Sequence, residues 1–377
     1  MSSIPETSTS LVLEAINEPL VLKKTPTITS PPPGIALVSM LAVGIRPHHR
    51  GGFRGHKALP FPVPYTPGNS GVARILAVGR DAIALQPGQL VWVNGFVTSR
   101  DDPTGTKMLL GLSHIFGEKR EALFKAWPGL WADVASAPLE NCLPLDEDLL
   151  CTRMGYSFAD LEYLERLAVA TGGVRAADLR PGETVIVNPA TGHYSGAAAE
   201  LAAQIGCHVI ALTRTASKVQ PLASLPHVAG RITAVEITGD ADTDAAAIRA
   251  HLPPNSDGAD ALIDVSPPQA TGSPTGLAAG LASLRSGGRA VFLGAMGEVK
   301  VNYASLMMRG ITIRGQWMYP REWAVDLIKS VERGVVRLGR DAGHEVVGRE
   351  FALEEWEEAI ETAEGATQWG RHVVFTP

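Results

Sequence analysis

Cysteine is scarce: Cys142, Cys151 and Cys207 are the only three in 377 residues, and no two form a C-x-x-C pair. That excludes a disulfide framework and a four-thiolate zinc lobe, and makes a reducing, cytoplasmic setting the simplest expectation. Long apolar runs are missing as well. Nothing approaches the roughly 18 residues a membrane span requires, and MSSIPETSTS has neither part of a signal peptide. No basic block is present, and a net charge of −6 sets nucleic acid aside as the main partner. Repeats and low-complexity tracts are also absent. Glycine (39) and proline (27) are plentiful but dispersed, which means many turns rather than disorder. The length suits two domains with ample core.

The most informative stretch is residues 179–206, LRPGETVIVNPATGHYSGAAAELAAQIG. A turn at Pro181-Gly182 leads into the β-branched run Thr184, Val185, Ile186 and Val187, which reads as a buried parallel strand. A loop of small residues over 188–195 precedes an Ala-rich helix over 196–205, and Gly206 is placed to end it. Strand, loop and helix make the first half of a dinucleotide-binding βαβ unit, whose helix N-terminus suits a pyrophosphate. The glycine fingerprint is imperfect. Gly192 can supply close backbone approach, and Ser195 is small enough for the helix to start near the strand.

A second strand over 207–212 ends at Thr213-Arg214-Thr215-Ala216-Ser217-Lys218. The acidic residue that would hold the ribose hydroxyls of NAD is lacking here. Thr213, Arg214 and Lys218 suit a 2′-phosphate instead, so the expected cofactor is NADP(H). The bland alternative is that both cations only solvate a helix start.

Elsewhere the first 150 residues read as an all-β barrel punctuated by Gly and Pro: a hairpin over 11–22 and strands over 35–44, 72–79, 89–93 and 129–134. A cation-rich loop, Ile45-Arg46-Pro47-His48-His49-Arg50, follows the 35–44 strand. Residues 100–130 form an insertion in which His114-Ile115-Phe116 and Leu123-Phe124 suggest a helical cover. A helical linker spans about 160–169. Strands over 260–265, 289–293 and 311–315 then alternate with helices, which means a doubly wound parallel sheet. Helices over 322–333 and 353–363 and a strand over 372–375 close the chain.

Gly44-Ile45, Pro67-Gly68-x-x-Gly71, Pro87-Gly88, Pro181-Gly182-Glu183-Thr184-Val185, Ala190-Thr191-Gly192, Gly287-Gly288-Arg289, Ile313-Arg314-Gly315 and Gly370-Arg371-His372-Val373-Val374 occur in this order. Together they resemble the medium-chain dehydrogenase/reductase superfamily over nearly the whole chain. The resemblance implies an α/β protein: a GroES-like β-barrel substrate domain over 1–158, completed by 320–377, with a Rossmann domain over 159–319 inserted between. It also suggests dimerisation through Rossmann edge strands. Zinc members of the family carry G-x-C-x-[ST]-D and G-H-E; here Arg46 stands at the cysteine, and Asn69 and Ser70 stand at His-Glu. A guanidinium does not ligate Zn²⁺, so no metal site is expected. The loop better resembles the zinc-independent quinone oxidoreductase and enoyl reductase branch.

Without a metal, the expected reaction is hydride addition to an activated double bond (enone, quinone or enoyl) of a hydrophobic small molecule, with secondary metabolism as one setting. The catalytic candidates are His48, His49 and Arg46: an imidazole to give the proton, a guanidinium to hold an oxyanion or a substrate carboxylate. A solvated histidine pair and a structural ion pair are the bland counterparts. Gly192, His193, Tyr194, Ser195, Thr213, Arg214, Lys218, Gly294, Ala295 and Met296 are the cofactor candidates. Trp317, Met318 and Tyr319 are expected to line the cleft or to pack in the core. A non-redox isomerase or lyase using the loop histidines is the alternative, and a non-enzymatic binding protein of the same fold is a third reading.

Overall fold

The computed structural model describes residues 4–55, 62–112, 117–270 and 276–377. The chain divides into two units, Met1–Glu165 with His344–Thr367 and Arg371–Pro377, and Arg166–Gly343 with Gln368–Gly370.

In the first unit a hairpin joins strands β1 (Thr7–Leu13) and β2 (Leu20–Pro26). The main sheet is built on β3 (Ile35–Ile45), which pairs antiparallel with β4 (Gly71–Val78) and with the C-terminal strand Arg371–Phe375. Beyond β4 come β5 (Leu90–Val93) and, past the small β6 (Phe96–Thr98) and β7 (Lys107–Leu109) pair, β8 (Val134–Pro138) on β3 and β9 (Cys142–Pro144) on β5. Val38, Met40, Val43, Val91, Val93, Trp131 and Phe375 fill its interior, with Ile360 and Ala363 of helix Trp356–Gly365 packed on it. This is the GroES-like half.

The structure departs from expectation at three places here. The strand expected over 129–134 begins only at Val134, because residues 129–131 spend their N–H groups on Thr66, Pro67 and Gly68 rather than on a ladder. The loop after β3 contains a helical turn, His49–Phe53, and is largely buried. Helix Glu118–Ala126 carries Leu123 and Phe124, whereas His114, Ile115 and Phe116 lie outside the described residues.

In the second unit six parallel strands run in the order β12-β11-β10-β13-β14-β15. They are β10 (Thr184–Asn188), β11 (His208–Thr213), β12 (Ile232–Glu236), β13 (Ala259–Asp264), β14 (Leu284–Phe292) and β15 (Thr312–Gly315). The order reverses between β10 and β13, as in a Rossmann fold, in which ligands bind outside the carboxyl ends of the strands at that switch point. Ile186, Ile210, Leu212, Leu262 and Ala290 form its core. Helix Arg321–Glu332 belongs to this unit, beyond the expected limit at 319; Ala324, Leu327, Ile328 and Val331 are buried, and Arg175 meets Asp326 at 3.0 Å. Among the described residues no helix is long and apolar enough to cross a membrane.

Candidate functional site

The candidate nucleotide loop lies between β10 and helix His193–Gln204, which starts three residues before the sequence predicts. Ser195 Oγ accepts the N–H of Gly192 at 3.0 Å, so this side chain caps the helix rather than merely leaving room. The helix can lie close to the sheet because Ala197, Ala198, Ala199, Ala202 and Ala203 are all buried. Its first turn offers the N–H groups and positive dipole end that suit an anion. His193 and Tyr194 are half-buried, and His193 Nδ1 receives Arg166 Nε at 3.3 Å. The far side of the loop is clamped by residues that sequence reasoning missed. Trp369 N–H donates to Thr191 O at 3.1 Å, Gln368 bridges to Gly192, and Trp369 Nε1 donates to the fully buried Glu200 at 2.8 Å.

At the end of β11, Thr213 Oγ1 closes a tight turn by accepting Thr215 N–H at 3.1 Å. It is buried, so it shapes the turn rather than facing a ligand. Arg214 and Lys218 project from that turn, both exposed. A carboxylate does stand nearby, supplied by the next strand: Glu236 pairs in register with Thr213 and accepts Ala216 N–H at 2.6 Å. A sequence scan down β11 alone misses it.

The ends of β10, β13 and β14 are knitted together. Asn188 Nδ2 donates to Asp264 Oδ2 at 2.6 Å, Ser266 N–H to Asp264 Oδ1 at 3.0 Å, and Ala295 N–H to Ser266 O at 3.0 Å. Burial raises the Asp264 carboxyl, against the pull of these hydrogen bonds. Gly294 approaches Ser266 so closely that a Cβ would stand 2.2 Å from its carbonyl oxygen. Gly294 and Ala295 are exposed at this edge, and Met296 is half-buried against the core. Tyr319 is buried, Trp317 is 37% exposed, and Met318 adopts φ +55° beside Gly172, where a Cβ would meet Met318 O at 2.3 Å.

The Arg46 loop corrects two of the three catalytic expectations. Arg46 is 1% exposed, and its Nη2 lies 2.8 Å from Glu162 Oε1 and 3.1 Å from Glu165 Oε2. Its charge is committed to two carboxylates, which leaves none for a substrate anion. His49 is buried: it accepts Arg46 N–H through Nδ1 at 3.1 Å, stacks on Phe53, and sets its edge on Trp131. Burial, then the charges of His48 and Arg46, push its pKa well below 6.5. His48 stays half-buried. Glu162 sits on helix Phe158–Glu162, whose start is fixed by a reciprocal Ser157–Asp160 capping box. Glu165 follows in the first turn of helix Leu164–Ala176. The signal for both is legible afterwards: two acids three apart in the apolar run LEYLERLAVA.

This donor set does not fit a catalytic zinc. Such a site needs three protein ligands among thiolate, imidazole and carboxylate; Arg46 brings a cation, and Asn69 brings an amide whose Nδ2 faces Glu165 Oε1 at 3.5 Å. Ser70 Oγ is engaged by Trp92 Nε1 at 2.8 Å. Among the described residues no group of three or more His, Cys, Asp or Glu is arranged to hold a metal ion.

Residues 195–333 match the family model described as zinc-binding dehydrogenase. The chain is 25% identical over 347 residues to alcohol dehydrogenase 1 of Emericella nidulans, covering 89% of this chain and 90% of that one. Among solved structures it resembles AibC (TM-score 0.77, 21% identity, 99% and 96% covered). It also resembles a thermostable alcohol dehydrogenase from Pyrobaculum aerophilum with cobalt and zinc bound (0.71, 18%, 98% and 100%). A third is a Sinorhizobium meliloti 1021 protein described as a zinc-binding dehydrogenase and bound to NADP (0.72, 18%, 99% and 100%). At those identities the structures share the fold. The family model over residues 195–333, the alcohol dehydrogenase relative and the fold shared with these structures agree in making the chain similar to medium-chain dehydrogenases/reductases.

Proposed function

We propose that this protein is a zinc-independent, NADPH-dependent reductase of an activated C=C bond (an enone, quinone or enoyl group) in a hydrophobic small molecule. The observation that carries the reading is the buried Arg46–Glu162–Glu165 ion pair, which puts a guanidinium where metal-assisted carbonyl chemistry would need ligands. Acceptors already activated by conjugation suit a site that lacks a Lewis acid. NADPH supplies the hydride when bound. This chain would hold its pyrophosphate at Gly192, His193 and Tyr194 and its 2′-phosphate at Arg214 and Lys218, which are exposed and make no ion pair among the described residues. The exposed backbone of Gly294 and Ala295 suits the carboxamide. His48, the histidine of the pair that keeps part of its surface open, is the candidate proton donor. An isomerase working through both loop histidines fits less well, because His49 is sealed between Phe53 and Trp131.

The test mixes purified protein with NADPH and a panel of enones and quinones, with and without a strong chelator. Cofactor oxidation that the chelator leaves unchanged is expected. Arg214→Ala with Lys218→Ala should weaken NADPH binding by about tenfold per lost phosphate contact while leaving NADH binding nearly unaltered. Turnover confined to simple alcohols and abolished by the chelator overturns the reading.

A further inference from the structure

Buried polar side chains of the first unit converge on a single atom. Around Arg46 Nη2 stand Glu162 Oε1 at 2.8 Å and Glu165 Oε2 at 3.1 Å, and all three side chains are at most 2% exposed. The other oxygen of Glu165 faces Asn69 Nδ2, while Asn69 Oδ1, equally buried, finds no hydrogen-bond partner among the described residues. Space for the cluster is cleared at Gly44, where a Cβ would stand 2.1 Å from Glu162 Oε1 and 2.7 Å from Arg46 Nη1. His49 fixes where the arginine side chain begins by holding its backbone N–H. Burying a carboxylate's charge is costly unless a cation stands beside it. Here that cation is part of the chain.

We propose that Arg46 Nη2 occupies a cation-binding position of this domain, and that the side chains of Arg46 and Asn69 are what keep a metal ion out of it. The inference rests on the metal-free reading of the loop and goes one step further. Glu165 lies against both residues, so a thiolate at 46 and an imidazole at 69 would complete with it three donors of the kind zinc accepts, leaving a fourth position open. The site is a metal centre whose ion has been replaced by a tethered one.

The experiment compares the wild type, Arg46→Cys/Asn69→His, and the same pair with Glu165→Gln, each equilibrated with zinc, dialysed and assayed by elemental analysis. The wild type should hold less than about a tenth of a zinc per chain, the double variant about one, and the triple variant should lose it again. Cobalt(II) in the double variant should show thiolate-to-metal absorption that the wild type lacks. A double variant that melts cooperatively yet holds no zinc overturns the proposal. If the double variant does not fold, Arg46→Ala decides. Its melting temperature should rise with millimolar guanidinium or zinc and not with tetramethylammonium, and no rise with either overturns the proposal. Stoichiometric zinc on the wild-type loop would instead remove the metal-free reading beneath it.

Discussion

Neighbouring residues of the Arg46 loop do unlike things, and their long-range partners decide which. Arg46 could be singled out from its own segment, but Glu162 lies 116 residues away, so the ion pair that fixes its role was not legible locally. Arg46→Ala strips the cation from two buried carboxylates and should cost about 3–5 kcal/mol, read from the denaturant midpoint. The histidine pair was legible as a pair; which member is buried was not, since that depends on Trp131 arriving from elsewhere in the chain. His49 also sets a pH dependence. Its folded-state pKa lies well below 6.5, so the unfolded chain binds the extra proton as pH falls. The stability it contributes is complete above that value and is lost progressively below it, by up to about 1.4 kcal/mol per pH unit. His49→Asn can still accept the Arg46 N–H, and its melting temperature should change less than that of wild type across the range just below 6.5.

Local chemistry dictated the strand–loop–helix from β10 to Gln204, which is why it could be read in advance down to the capping serine's neighbourhood. The clamp behind it could not, because Trp369 reaches Glu200 across 169 residues. Gly196 shows how closely they fit: a Cβ there would stand 2.4 Å from Trp369 Cβ. Gly196→Ala should therefore push the loop off its clamp, lowering the melting temperature and weakening dinucleotide binding together, as read by calorimetry and by cofactor titration. Trp369→Phe leaves a buried carboxylate oxygen short of one donor and should cost about 1–3 kcal/mol. β12 drew no notice in the sequence because ITAVE is short and only half-buried, and with it went Glu236, the carboxylate beside the Arg214 turn.

For the whole chain, the alternation of strands and helices was enough to give the doubly wound sheet, since parallel strands need crossovers and crossovers need helices. Where one unit yields to the other was less legible, because helix Arg321–Glu332 carries the same apolar periodicity whichever core receives it. β15 ends the sheet as an edge, and Tyr303, Met307 and Met308 of the preceding helix are 66–81% exposed. An open edge beside such a patch fits a second copy related by a twofold axis. Sedimentation should give twice the chain mass, and Met307→Glu with Met308→Glu should return it to one. The clamp that Trp369 sets on the loop after β10 carries a consequence for biosynthesis. Helix His193–Gln204 leaves the ribosome long before Gln368, Trp369 and Gly370, and domains fold in the order they emerge. The sheet can therefore assemble early, but the corner around Gly192 must wait, unfinished, for a tryptophan translated 169 residues after the glutamate it holds.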